Sequence, residues 1–204
     1  MIHPYEENLW PIYPVILGMD EAGRGPICGP LVVAGVIFEP GYQNEEINDS
    51  KKLSEKKRAA LFDTIRKDAK AYWILFVSEA EIDRLNIYRA TQSAMEKIAG
   101  LARADYVLSD AMPLPTVEKH EALIKGDAKA LSIAAASILA KVSRDRYMKA
   151  LDEEFPQYGL KDHKGYPTRK HLDAIERYGI QPFYRRSYKP VQIQIEKEDR
   201  LTLF

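Results

Sequence analysis

An α/β domain built on a mixed sheet is the fold class this sequence predicts, and three observations carry the prediction. Short apolar runs rich in β-branched and aromatic residues recur along the first two thirds of the chain, among them LVVAGVIF at Leu31–Phe38 and YWILFV at Tyr72–Val77. Between them lie segments whose apolar residues fall three and four positions apart, the period of a helix with one buried face. Three strands come before the first paired strand–helix units, an order that argues for a sheet with both parallel and antiparallel neighbours.

Taken in order, Val15–Met19 is an apolar run ending on Asp20, and glycines and prolines separate it from Leu31–Phe38, so the two read as buried strands joined by a tight connection. Asn48-Asp49-Ser50 is turn-like. Ser54 is placed to cap a helix in which Leu61, Phe62, Ile65 and Ala69 recur at helical spacing through Lys70. Tyr72–Val77 supplies the third strand. Ile87, Ala90, Ala94, Ile98 and Leu101 step by three or four and predict an amphipathic helix ending around Gly100. Tyr106-Val107-Leu108 is a short strand that delivers Asp110, and a further strand ends at Leu123-Ile124. From Ala128 to about Glu154 the alanine-rich sequence predicts one long helix, apolar enough to be buried on more than one side.

At 204 residues the chain suits one compact domain with a small appended module, and a hydrophobic content of 46% is ordinary for a globular core. Basic and acidic side chains balance at 30 each, so overall charge gives no warrant for a polyanionic partner. Locally the balance differs. Residues 161–189 hold eight basic side chains (Lys161, Lys164, Arg169, Lys170, Arg177, Arg185, Arg186, Lys189) against three acidic ones (Asp162, Asp173, Glu176). Tyr166, Tyr178, Phe183, Tyr184 and Tyr188 interleave with them, a pattern suited to tracking a nucleic-acid backbone, although Tyr178 and Phe183 equally suit a small core. The lone Cys28 has no partner for an internal disulfide and favours a reducing, cytoplasmic setting. No apolar stretch of about 18 residues is present, so no membrane span is expected. The last residues, Ile195–Phe204, read as a weakly specified tail.

The chemistry concentrates at Asp20-Glu21-Ala22-Gly23-Arg24-Gly25-Pro26. Two adjacent carboxylates at a strand end repel one another and are costly to bury, and a divalent cation sharing the site relieves both problems. Hard oxygen donors of this kind suit Mg2+ or Mn2+. Taken alone, a DE pair is more often a solvated loop, but glycines on both sides of Arg24 let backbone N–H groups approach a ligand closely. Asp110 and Asp127 also fall at the ends of apolar segments, and strands that finish at one edge of an α/β sheet bring such residues together. Asp110 serves equally as a turn former, and Asp127 as the N-cap of the long helix. Lys51 and Lys52 are candidate phosphate contacts. Cys28 has no histidine nearby in sequence and is not read as a nucleophile.

Five ordered blocks, GMDEAGRGPICGPLVVAGV, DSKKLSEKKR, IDRLNIYRATQSAM, KGDAKALSIAAASILAKVSRDRYM and YGLKDHKGYPTRKH, resemble bacterial ribonuclease HII from about residue 15 to residue 192. The resemblance implies a ribonuclease H-like, mixed five-stranded sheet flanked by helices over residues 1–160, with a basic helical module and tail over 161–204 packed on it. It implies four metal-binding carboxylates at Asp20, Glu21, Asp110 and Asp127; Asp20 and Asp110 are read as the bridging pair. It also implies that Gly23, Arg24 and Gly25 meet the 2′-hydroxyl of the ribonucleotide and that Tyr166 packs on the adjoining sugar.

The expected activity is two-metal hydrolysis of the RNA strand of RNA–DNA hybrids, and incision on the 5′ side of ribonucleotides embedded in duplex DNA, leaving 3′-hydroxyl and 5′-phosphate ends. Phosphate contacts without base contacts imply little sequence preference. The implied partner is the hybrid or ribonucleotide-containing duplex, met by a monomer, with a replication-clamp contact through the C-terminal tail. Three alternatives stand beside this reading: a ribonuclease HIII-like enzyme that needs runs of ribonucleotides, a DNA-specific carboxylate–metal nuclease, and a catalytically silent hybrid-binding protein.

Overall fold

The structure, a computed structural model, describes residues 5–48 and 50–201. Five strands, β1 (Ile16–Ala22), β2 (Leu31–Ile37), β3 (Ala71–Val77), β4 (Tyr106–Asp110) and β5 (His120–Leu123), lie side by side in the order β3-β2-β1-β4-β5. β1 is antiparallel to β2, with Asp20 opposite Ala34, and parallel to β4, with Met19 opposite Ser109. β4 is in turn parallel to β5, with Asp110 opposite Leu123. The sheet is mixed and five-stranded, as the resemblance implies. β1 continues through Ala22, so Asp20 and Glu21 are strand residues rather than the loop residues that their charge suggests. Pairing of Asp20, Glu21 and Ala22 with Ala34, Val33 and Val32 of β2 satisfies their backbone and extends the strand past its apolar run.

Among the described residues seven α-helices accompany the sheet: α1 (Glu55–Asp68), α2 (Glu79–Leu85), α3 (Ile87–Ala102), α4 (Leu131–Glu154), α5 (Leu160–His163), α6 (Arg169–Tyr178) and α7 (Lys189–Leu201). Ser54 caps α1 as its position predicts, accepting a hydrogen bond from the Lys57 N–H. α2 had no periodic signal, because a helix this short buries only Ile82; Ser78 caps it. Helix α4 starts at Leu131, three positions later than expected, and its first free N–H groups are capped by a residue remote in sequence. Glu6, buried in a 3-10 turn at Tyr5–Asn8, accepts from the N–H groups of Leu131 and Ser132 and from the Ser132 hydroxyl. Residues Ile195–Leu201, expected as tail, continue α7, while Thr202–Phe204 and Asp49 of the expected turn lie outside the described residues.

The chain gathers into two compact units that are discontinuous in sequence. The first takes the residues up to Ala22, then 32–76 and 91–143; the second takes 23–31, 77–90 and the chain from Arg144 onward. A single division at residue 160 does not coincide with these units, because α4 itself carries the chain from one to the other. In the first unit Val32, Ala34 and Val36 of β2 pack with Leu61, Phe62 and Ile65 of α1 and with the alanine-rich face of α4. Ile16, Leu108 and Leu123 form a second cluster with Ala130 and Ile133. The second unit has its own core, in which Ile27, Cys28, Met148, Tyr158, Ile175, Phe183, Tyr184 and Val191 are buried together. The long-helix reading holds from Leu131 to Glu154 because alanine both favours helix and lets α4 lie close against neighbours on several sides.

Candidate active site

Three parallel neighbours, β1, β4 and β5, end at the same edge of the sheet, and an acidic side chain comes from each end or just beyond it. Asp20 is near the end of β1, Asp110 is the last residue of β4, and Asp127 follows β5 in a 3-10 turn at Gly126–Ala128. One carboxylate oxygen from each of Asp20, Asp110 and Asp127 lies within 4.8 Å of the other two. Asp20 and Asp127 are each only 7% exposed. The turn orients the set: Lys125 adopts a left-handed conformation (φ 57°), and the Gly126 N–H donates to Asp110 Oδ1 at 2.7 Å. With Glu6 capping α4, Asp127 is not that helix's N-cap, and its carboxylate takes part in the cluster instead.

Burial, and then the charges of Glu21, Asp110 and Asp127, push the Asp20 carboxyl well above its ordinary range; the Glu21 N–H, donating to Asp20 Oδ1 at 2.7 Å, works the other way. Such mutual repulsion in a buried, oxygen-only set is what a divalent cation relieves, so the residues present fit one. Glu21 is not among the carboxylates that meet within 4.8 Å, although its charge acts on Asp20 and its Oε2 is buried. Lys51 and Lys52 stand in a 3-10 turn at Ser50–Lys52; the exposed Lys51 Nζ is 3.9 Å from Asp127 Oδ2.

The second unit holds the other expected residues. Gly23 has φ +105°, and a Cβ there would stand 2.2 Å from Nε of Arg144, so both its conformation and its surroundings require glycine. A Cβ on Gly25 would lie 3.1 Å from Cε1 of Tyr166, which places the tyrosine ring directly against the Gly23–Gly25 segment. Tyr166 is 48% exposed, leaving ring surface for a ligand. Its carbonyl accepts from His171, whose other ring nitrogen faces the Tyr184 hydroxyl at 2.9 Å; the carbonyl can only accept, so Nδ1 carries the proton and Nε2 accepts from Tyr184. Burial pushes His171 down to about 4, keeping this neutral tautomer. The His163 ring stacks on it at 4.1 Å.

Three groups escaped the sequence reading. Glu6 gave no signal, since its partners are 125 and 126 residues away. Arg144 and Arg185, 1% and 0% exposed, looked like two of many surface cations. Burial first, then the charge of Arg185, push Arg144 down to about 10, still a cation at neutral pH. Much of the basic segment is also engaged locally. Lys161 pairs with Asp152 (3.5 Å), Arg169 with Asp173 (2.8 Å) and Lys170 with Asp162 (2.9 Å).

This sheet order, with an acidic cluster at the ends of its parallel strands, defines a protein of the ribonuclease H-like class of metal-dependent nucleases. Two solved archaeal structures superpose on it. The ribonuclease H2 of Pyrococcus horikoshii matches with a TM-score of 0.76 at 25% identity, over 91% of this chain and 99% of its own. The ribonuclease HII of Archaeoglobus fulgidus, solved in complex with PCNA, matches with a TM-score of 0.73 at 28% identity, over 86% and 95%. Residues 17–191 match the family model for Ribonuclease HII, and the chain belongs to that family. The ribonuclease HII of Francisella philomiragia is 50% identical over 182 residues, which is 88% of this chain and 98% of the relative. The chain is accordingly a metal-dependent endonuclease.

Proposed function

We propose that this endonuclease hydrolyses the RNA strand of RNA–DNA hybrids and incises duplex DNA on the 5′ side of embedded ribonucleotides, leaving 3′-hydroxyl and 5′-phosphate ends. The observation that carries the reading is the meeting of Asp20, Asp110 and Asp127 within 4.8 Å at one sheet edge. These three, with Glu21 beside them, would hold Mg2+ or Mn2+; bound there, the ion supplies the charge that activates a water and stabilises the leaving 3′ oxygen. Gly126 keeps Asp110 in place through its N–H, and Lys51 offsets part of the negative charge at Asp127.

Ribose reading is assigned to Gly23, Arg24 and Gly25, with Tyr166 on the adjoining sugar. The contact between Tyr166 and Gly25 supports this, because a backbone segment and an aromatic ring side by side can meet a hydroxyl and a sugar face together. Lys51 and Lys52 are assigned to phosphates. The enzyme is read as monomeric and cytoplasmic; a replication-clamp contact at the C-terminal end belongs to the same proposal, its last three residues lying outside the described part.

The experiment compares a DNA duplex carrying one ribonucleotide with the all-DNA duplex, each with Mg2+, with Mn2+ and with chelator. Metal-dependent cutting of the first alone, on the 5′ side of the ribonucleotide, is the expected result. It also separates this enzyme from a ribonuclease HIII-like one, which needs a run of ribonucleotides. Equal cutting of both duplexes ends the ribose reading, and cutting in chelator ends the metal reading.

A further inference from the structure

The backbone of residues 24–30 is gripped almost entirely from inside its own unit. Arg185 donates from Nη1 to the carbonyl of Pro26 (2.8 Å) and of Arg24 (3.4 Å), and from Nε to that of Gly29 (3.0 Å). Arg144 donates from Nε to the carbonyl of Pro30 (3.0 Å) and from Nη2 to that of Cys28 (3.1 Å). The remaining Nη1 of Arg144 reaches the carbonyl of Lys164, two residues before Tyr166. Backbone bonds complete the hold, from Arg185 N–H to the Ile27 carbonyl and from the Ile27 N–H to Gly165. Tyr188 adds its hydroxyl to the Arg24 carbonyl at 2.7 Å and accepts from Arg185 at 3.0 Å.

Two fully buried guanidiniums are costly to desolvate, and a core side chain of similar volume avoids that cost. Glu79 at the start of α2 offsets part of the charge, since both arginines act electrostatically on its carboxylate. Yet Glu79 Oε1 and Arg185 Nη2 are both buried without a hydrogen-bond partner among the described residues. The interior is therefore not arranged for maximal stability. Most of its hydrogen bonds go to carbonyl oxygens of residues 24–30.

The direction of those bonds decides where the loop's amides point. In a planar trans peptide the C=O of one residue and the N–H of the next point opposite ways. Holding the Arg24 carbonyl toward Arg185 and Tyr188 turns the Gly25 N–H away from them. Gly23 lies against Arg144 so closely that no side chain fits between.

We propose that Arg144 and Arg185, with Tyr188, are positioning residues for ribose recognition: they hold the carbonyls of residues 24–30 inward and so aim the Gly23–Gly25 amides at the 2′-hydroxyl. The proposal rests on the assignment of this segment to ribose reading. Lysine cannot replace either arginine, because one ammonium lacks the planar fork that reaches several carbonyls at once.

The test measures, in chelator, the affinity of the full chain for a duplex with one ribonucleotide and for the same duplex in DNA alone. Arg185→Lys is expected to lower the ratio of the two affinities roughly tenfold, about the worth of one misdirected hydrogen bond. The rise in Tm on adding Mn2+ stays as in the parent, because the carboxylate cluster is untouched. A change that merely loosens the fold weakens both duplexes alike and leaves the ratio unmoved. Should Arg185→Lys fail to fold, Tyr188→Phe removes one of the two donors to the Arg24 carbonyl and is expected to lower the ratio about threefold. A folded variant with the parental ratio overturns the proposal. A parental ratio of one is seen before any variant is made; it removes the ribose reading itself, and the proposal with it.

Discussion

Asp20 concentrates the conflict between stability and activity in one side chain. It is buried, it carries a carboxyl pushed well above the usual range, and the causes are its own desolvation and three neighbouring carboxylates. Without a cation, the charged form is a liability. Asp20→Asn keeps the shape and removes the charge, so in chelator it is expected to raise Tm by about 2–4 °C, the shift that about 1 kcal/mol produces in a chain of this size. Adding Mn2+ then reverses the order: the parent gains stability through binding to the native state, and the variant gains little and no longer cuts. A thermal melt of both proteins with and without Mn2+ checks this, and equal gains would mean the ion binds elsewhere. Cys28 illustrates the opposite case. Burial pushes its thiol up to about 12, so despite a His171 ring nitrogen 3.9 Å away it is packing, as its sequence surroundings suggested.

Among the elements, the segment from His163 to His171 depends on histidines remaining neutral. His163 Nε2 is 3.0 Å from the Tyr158 carbonyl, the Gly165 N–H donates to its Nδ1, and His171 holds the Tyr166 carbonyl. Burial is the main cause of the lowered pKa in both rings. A histidine whose folded-state value lies below its unfolded value of about 6.5 takes up its proton more readily when unfolded. Its contribution to stability is complete above that pH and is lost as pH falls toward about 4, the value for His171. A pH series of Tm should therefore steepen downward over this window, and His171→Gln, which keeps hydrogen-bonding atoms but cannot titrate, should flatten the slope. An unchanged slope would place the acid sensitivity in the carboxylates.

For the molecule as a whole, net charge is zero and the surplus of positive charge lies in residues 161–189. Arg185 is spent on backbone carbonyls, and Lys161, Arg169 and Lys170 are paired with aspartates. Four of the eight basic side chains therefore remain for phosphates, beside Lys51 and Lys52. Each neutralised phosphate contributes about −0.9 to the slope of log affinity against log salt on duplex DNA, so these six contacts give a slope no steeper than about −5.4. A slope near about −8 would mean that Lys161, Arg169 and Lys170 also reach the backbone and that their aspartate pairs open on binding. The mixed character of the sheet and part of the cluster were legible beforehand, whereas the strand order was not. Apolar runs ending in acids marked Asp20, Asp110 and Asp127 as candidates, and the resemblance to the family blocks singled them out from turn-forming and capping roles. Sequence alone thus determined the class of fold, the family and the acidic residues in play, because these depend on local pattern and residue chemistry. Tertiary structure decided that Asp127 joins the cluster instead of capping α4 and that buried arginines hold the glycine loop. Each of those outcomes turns on contacts between residues far apart in the chain, where hydrogen-bond direction and burial, not spacing, set the result.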